Sequence, residues 1–304
     1  MPIYTNNYGL PKPVAMALAA DDYDKHGDYS TTGLIGPPRA HFLIERHSNE
    51  IVIDVMDNSH ALRGNALHYV ASKANHRRAI IEERFLYHID GFQISMKPDI
   101  VWPEDEKANE FSLYDYKDCS TWVARLTKGK DEWTKQCNLL RLGMHERGFN
   151  ITKLAIIAFF KDWTQKDAII NTGGNYPKHP IKELPIDIVD LEKVKHWLRQ
   201  RIKLFESCKH LPDDKLPICT PEERWNSDSC HAVVHVKDGK PGKAVSGGTR
   251  FATANEAESF RLNQKDPQNK MVVFREGCNK RCEKYCDAKD FCDFYRNTVD
   301  NSPF

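Results

Sequence analysis

Asp99, Asp115 and Lys117 stand in the stretch PDIVWPEDEKANEFSLYDYKD, which runs from Pro98 to Asp118. In an extended strand, residues two apart point the same way. Asp115 and Lys117 therefore share a face, and Tyr116 turns to the other. If MKPDIV pairs with SLYDYK as a hairpin, Asp99 comes to lie beside Asp115. Two carboxylates at such range repel and raise each other's pKa unless a cation sits between them. A hard divalent cation such as Mg²⁺ or Mn²⁺ takes oxygen ligands and retains some of its waters. A lysine one pleat away can orient or deprotonate an attacking water and offset charge on a phosphate. Those are the parts that metal-assisted phosphodiester hydrolysis needs. The pattern is short, however, and acidic residues also crowd ordinary surface hairpins.

A second set of reactive residues closes the chain. GCNKRCEKYCDAKDFCDFY holds Cys278, Cys282, Cys286 and Cys292. Four thiols in so short a stretch are hard to explain as packing, and clustered thiolates select zinc or an iron–sulfur cluster by their softness. Zinc sites usually show two C-x2-C-like knuckles, whereas this end reads C-x3-C-x5-C. The spacing alone leaves zinc and iron open. With nine cysteines, an odd number, and no secretory signal at MPIYTNNYGLPKP, free or metal-bound thiols in a reducing cytoplasm are expected rather than a disulfide framework. Cys119, Cys137, Cys208 and Cys230 read as core or incidental residues.

The elements that must position these residues follow from the hydrophobic pattern. Short helices joined by turns are expected over the first sixty residues, with Pro37 and Pro38 opening one of them. GNALHYVASKANHRRAIIEERF reads as a helix with Leu67, Val70 and Ala71 on its apolar side. FLYHIDGFQIS, MKPDIV and EFSLYDYKD read as three strands. DEWTKQCNLLRLGMHERG reads as a helix capped by Gly148, and ITKLAIIAFFKDW as a buried strand too short to span a bilayer. PIDIVDLEKVKHWLRQRIKLFESC reads as a long amphipathic helix with Asp190 near its start. After Cys208 the composition turns Pro-rich and polar. A small module follows, with a strand over 232–236, a Gly-rich turn over 239–248, a helix opened by Thr253 and Glu256 at capping-box spacing, and a strand over 271–274. The whole is an α/β fold with an N-terminal helical segment (1–60), a core (61–208) and a C-terminal lobe (209–304).

In order along the chain stand GNALH (Gly64, His68), ISMKPD (Asp99), DYK (Asp115, Lys117) and QCNLL (Gln136). This series resembles the PD-(D/E)XK nuclease superfamily, in its RecB-like exonuclease branch, over roughly residues 28–163. The resemblance implies a restriction-endonuclease-like core, a central mixed sheet flanked by helices. It implies that His68, Asp99, Asp115 and the backbone carbonyl of Tyr116 hold Mg²⁺ or Mn²⁺, that Lys117 serves the attacking water, and that Gln136 organises the site or contacts DNA. Two departures stand out: Asp115 where that branch commonly has Glu, and Leu140 where it has Tyr. Glu82 and Glu83 are weaker candidates for a further carboxylate. The cysteine end resembles that of iron–sulfur RecB-like nucleases, in which three late cysteines join a distant one around a 4Fe–4S cluster. Cys282, Cys286 and Cys292 would then be joined by Cys219 of CTPEERW, with Cys278 as the local alternative and structural Zn²⁺ as the alternative metal. CTPEERW and RCEKYCDAKDFC together are similar to phage-encoded nucleases of this branch.

A formal net charge of +1 gives no bulk attraction to nucleic acid, so any footprint must be a local patch. STWVARLTKGKDEWTK supplies one: Trp122, Arg125, Lys128, Lys130, Trp133 and Lys135 interleave cations with aromatics. Such a patch neutralises phosphates and stacks unpaired bases, although a solvated charged loop reads the same way. The expectation is a metal-dependent exonuclease acting on linear or single-stranded DNA ends in phage or bacterial recombination or replication. It would work in the cytoplasm, with a recombination or replication protein as partner and no membrane. The rivals are a structure-specific endonuclease of the same superfamily and a non-catalytic, metal-stapled nucleic-acid-binding protein.

Overall fold

The computed structural model describes residues 2–20, 26–105, 109–126, 129–171, 174–245 and 248–298. The chain divides into two compact units, Met1–Leu216 and Pro217–Phe304. The expected boundary at 208/209 differs because 209–216 is tied back to the first unit. Arg46 and His47 reach Asp213 at 2.6 and 2.7 Å, and Leu216 is buried. The first sixty residues likewise belong to this unit rather than forming one of their own. Among the described residues no helix is long and apolar enough to cross a membrane.

The first unit is mixed α/β. Among its elements are α1 (Pro38–Arg46), α2 (Ser59–Ala71), β1 (Ile80–Ile81), β2 (Phe85–Ile89), β3 (Phe92–Met96), β4 (Ile100–Asp105), β5 (Glu110–Cys119), α3 (Asp131–Glu146), β6 (Asn150–Phe160), β7 (Ile181–Pro185) and α4 (Leu191–Cys208). Five strands form the central sheet in the order β7-β6-β5-β4-β1. β5 and β6 run parallel and the other neighbours antiparallel. The parallel pair needs a crossover, and α3 provides it, burying Leu139, Leu140 and Leu142. Phe111 and Leu113 of β5 and Leu154, Ile156 and Ala158 of β6 are almost wholly buried.

Two sequence expectations change here. FLYHIDGFQIS is not one strand but the hairpin β2–β3. Asp90 and Gly91 take φ of 49° and 86°, the left-handed pair that a two-residue turn between twisted strands demands. This hairpin joins Tyr29–Ser30 in a separate three-stranded sheet. α3 passes so close to it that a Cβ on Gly143 would stand 2.4 Å from the Met96 sulfur. The helix expected from GNALH onward starts earlier, at Ser59, and ends at Ala71, and Ile80 and Ile81 are taken up as β1 against Val101 and Ile100. Val70, expected on its apolar side, is exposed.

In the second unit β8 (Cys230–Lys237) is the central strand. It pairs with β9 (Lys240–Ala244), β10 (Arg250–Phe251) and, on its other edge, β11 (Lys270–Arg275). The expected Gly-rich turn thus contains a strand. Helix α5 (Ala254–Leu262) opens with a full capping box between Thr253 and Glu256. Val233, Val245 and Ala257 form a core with Phe251, Phe260 and Val272 packed against it.

Candidate functional site

β4 and β5 pair with Ile100 opposite Tyr114. One step further that register brings Asp99, just ahead of β4, opposite Asp115. Asp115 and Lys117 face α3, where the Gln136 side chain donates to Asp115 Oδ1 at 2.8 Å. Lys117 Nζ lies 2.6 Å from Asp115 Oδ2. That oxygen is sealed from solvent, and among the described residues Lys117 is the group that compensates it. Asp118 points to the opposite face, where Arg63 of α2 holds it at 3.1 Å, as the two-residue alternation requires.

Asp99 accepts a hydrogen bond from the Tyr116 amide at 2.7 Å. α2 delivers His68 from above: its Nδ1 is 2.8 Å from Glu82 Oε1 and 3.6 Å from Asp99 Oδ1. Its ring meets that of Tyr116 edge-on. Glu82 follows β1 directly, with φ of 53°. Its amide donates to the Asp99 carbonyl, and its second oxygen is 2.5 Å from Lys97 Nζ. Glu83, its neighbour, leaves the site and pairs with Arg147 at 2.7 Å.

The electrostatics follow from burial. Asp99 is pushed up to about 7, first by desolvation and then by the charge of Asp115, against the opposing pull of His68, Lys117 and the Tyr116 amide. For Lys117 desolvation is the largest influence and works downward, but the ion pair with Asp115 outweighs it and holds the ammonium above its usual range. His68 is raised mainly by its bond to Glu82. Glu82 is opposed by burial, yet His68 and Lys97 bring it below the ordinary carboxylate range.

Among the described residues, ligand atoms of His68, Glu82 and Asp99 lie within 4.8 Å of one another, close enough to share one metal ion. One imidazole nitrogen and two carboxylates suit a hard or borderline divalent cation. Of the expected set, His68 and Asp99 are therefore together, with the Tyr116 backbone alongside. Asp115 is turned to Lys117 and Gln136, and Glu82 stands in the third place. Of the two weaker candidates, Glu82 enters the group and Glu83 does not, because β1 pairs across to β4 and sets Glu82 beside Asp99.

In the second unit the Cys219 thiol is pushed up to about 12, first by burial, then by the charges of Glu223, Cys282, Cys286 and Cys292. Cys286 rises to about 11, with burial leading and Cys282 and Cys292 adding to it. Cys278 is paired in a short strand with Ser227, whose Oγ is 3.3 Å from its sulfur. A tetrahedral zinc ion with Zn–S near 2.3 Å would hold its sulfurs about 3.8 Å apart. Among the described residues no three cysteine sulfurs gather within 4.8 Å.

Of the basic and aromatic series, Trp122 is half exposed and Lys130 sits over both Trp122 and Trp133, at 5.5 and 4.9 Å from the ring centroids. Trp133 is buried, Lys135 is paired with Asp131, and Lys128 lies outside the described residues. Arg125 ends the short turn Thr121–Arg125.

No family model matches the chain, and no curated protein matches it. A solved structure titled "Crystal structure of SSO0001" is similar over 64% of this chain and 82% of that one, at 15% identity and a TM-score of 0.40. Similarity of that degree fixes neither fold family nor function.

Proposed function

We propose that the protein is a divalent-metal-dependent DNA nuclease with a restriction-endonuclease-like core, acting as an exonuclease in phage or bacterial DNA recombination or replication. The observation that carries this reading is the convergence of Asp99, Asp115, Lys117, Gln136, His68 and Glu82 around the central strand of a mixed sheet. Buried carboxylates are costly to keep together, and a binding-only protein has no use for them. His68, Glu82 and Asp99 would hold Mg²⁺ or Mn²⁺ with the Tyr116 carbonyl, and Asp115, whose two oxygens face Gln136 and Lys117, would join them only on releasing one of those partners. When bound there, the cation supplies charge that stabilises a phosphodiester as it gains a fifth oxygen.

The chain's own residues do the rest. Gln136 fixes the rotamer of Asp115. Lys117, kept protonated by Asp115, orients the attacking water and offsets charge developing on the phosphate oxygens; the same ion pair opposes its acting as a base. Lys130 over Trp122 offers a cation beside a flat ring, suited to the phosphate and base of an unpaired DNA end. The four cysteines of the C-terminal lobe, Cys219, Cys282, Cys286 and Cys292, are assigned to a 4Fe–4S cluster. Structural Zn²⁺ held by the same thiols is the alternative, and one tightly held zinc in the purified protein would replace the cluster by it.

End-labelled linear DNA and covalently closed circles, incubated with Mn²⁺, Mg²⁺ or EDTA, test the reading. Metal-dependent release of nucleotides from linear DNA is expected, with circles spared; cleavage of circles would identify an endonuclease. Asp115→Ala and Lys117→Ala should each slow cleavage roughly a thousand-fold or more while the circular dichroism spectrum is kept. Activity within a few-fold of wild type in either variant would reject the active-site assignment.

A further inference from the structure

One arginine touches nearly every part of the cysteine site. The segment after Cys219 is a single helical turn closed by reciprocal bonds: Glu223 N donates to Thr220 Oγ1 at 3.2 Å, and Thr220 N donates to Glu223 Oε2 at 2.9 Å. Trp225, with φ of 52°, ends the turn. Asn226–Ser227 then pairs antiparallel with Cys278–Asn279. On this turn the Arg224 guanidinium donates from Nη1 to the carbonyl of Cys219 and from Nε to Asn279 Oδ1 at 2.9 Å. Its plane lies 4.5 Å from the ring centroid of Phe294, two residues beyond Cys292. Its carbonyl accepts from the amide of Arg281, the residue before Cys282, at 3.0 Å. The next residue, Trp225, packs on Tyr285, the residue before Cys286, with ring centroids 5.3 Å apart.

We infer that Arg224 is the positioning residue of the cysteine site: it holds Cys219 against the Cys282–Cys292 segment before any metal enters, and it sets a permanent positive charge where the Cys219 turn meets that segment. This rests on the reading that those cysteines hold an iron–sulfur cluster. Cys219 lies far from the others in sequence, so a cluster that had to gather it alone would bear the whole entropy of closing that loop. A planar fork bonded to both ends of the loop bears it instead. Four thiolates in a half-buried site also need compensating charge, and a guanidinium remains charged throughout. Partners outside the ligand set typically change metal retention by roughly ten- to a hundred-fold.

The experiment uses the full chain, purified without oxygen, as wild type, Arg224→Gln, Arg224→Lys and Asn279→Ala. Iron content, the rate of cluster loss to a chelator and the reduction potential are measured on each. Wild type should be brown with about four irons per chain. Arg224→Gln should lose the cluster at least roughly tenfold faster and reduce at a more negative potential, because a positive charge has gone. Arg224→Lys keeps that charge but cannot fork to Cys219 and Asn279; it should lose the cluster faster at near wild-type potential. Asn279→Ala should behave like the lysine variant. Should Arg224→Gln fail to fold, the other two decide. A wild-type rate and potential in Arg224→Gln, or a wild-type rate in both milder variants, overturns the assignment. A colourless wild type, empty or with one zinc, overturns the cluster reading itself and the role of Arg224 with it.

Discussion

At the level of single residues, the division of labour at the candidate site turns on which carboxylate faces what. Asp115 is committed to Lys117 and Gln136, while Asp99 is shared between the Tyr116 amide and His68. Glu82 completes the second group at the cost of a left-handed backbone, a conformation that strains a non-glycine residue by about 1–3 kcal/mol. It persists because the Glu82 amide is bonded to Asp99 and both its carboxylate oxygens are engaged. If this carboxylate is a ligand rather than a partner of His68 alone, Glu82→Gln should raise the Mn²⁺ concentration for half-maximal DNA cleavage by roughly tenfold or more. His68→Ala should move that midpoint the same way, with DNA affinity in EDTA little changed. Glu83→Gln, which touches only the Arg147 pair, should leave it in place. A midpoint unmoved by Glu82→Gln would reduce Glu82 to an orienting partner of His68.

Helix α2 is the element whose composition is least explained by packing. No residue of it with a described side chain is fully buried, and Leu62, Tyr69 and Val70 are exposed. Its glycine is not required by the fold: a Cβ on Gly64 would meet nothing within 4 Å. Gly64 lies one turn before His68, on the same face. Glycine inside a helix costs about 0.8–1.0 kcal/mol relative to alanine, so Gly64→Ala should stabilise the first unit by about that amount in a urea titration. If the bare face admits a DNA backbone beside His68, the same change should weaken DNA binding several-fold. Greater stability with unchanged binding would mean that the substrate passes elsewhere. Local spacing made much of the site legible in advance. Asp115 and Lys117 were assigned one face by strand alternation, and Asp99 was placed beside them by a hairpin that the register bears out. Glu82 and Glu83 of IIEERF are both legible as spare carboxylates, but nothing local chooses between them, since the choice is made by a strand that pairs across to Ile100 and Val101. The Asp90–Gly91 turn was legible in principle, and reading FLYHIDGFQIS as one strand overlooked it. Cys219 is singled out by a family resemblance and not by spacing, because it lies far in sequence from Cys282, Cys286 and Cys292.

At the scale of the whole molecule, each of the two units has a core of its own and one of the two candidate sites. The first unit buries β5, β6, α3 and α4; the second closes around Val233, Val245 and Ala257. The His68, Glu82 and Asp99 group lies wholly in one unit, and Cys219, Cys282, Cys286 and Cys292 wholly in the other. A ligand that binds only the folded form stabilises what it binds, by about 2.7 kcal/mol at a hundredfold excess over Kd. It leaves a unit that does not contact it unchanged. Calorimetry of the full chain should therefore resolve two transitions. Mn²⁺ should raise one, EDTA should reverse the shift, and Asp99→Asn should abolish it. Stripping iron from the lobe should lower the other and leave the Mn²⁺-sensitive transition where it was. Hydrogen exchange identifies which transition belongs to which unit, since β5 and β6 report on the first and β8 on the second. A single transition that moves with both metals would mean that the units unfold as one, and the two sites would then have to be treated as thermodynamically coupled.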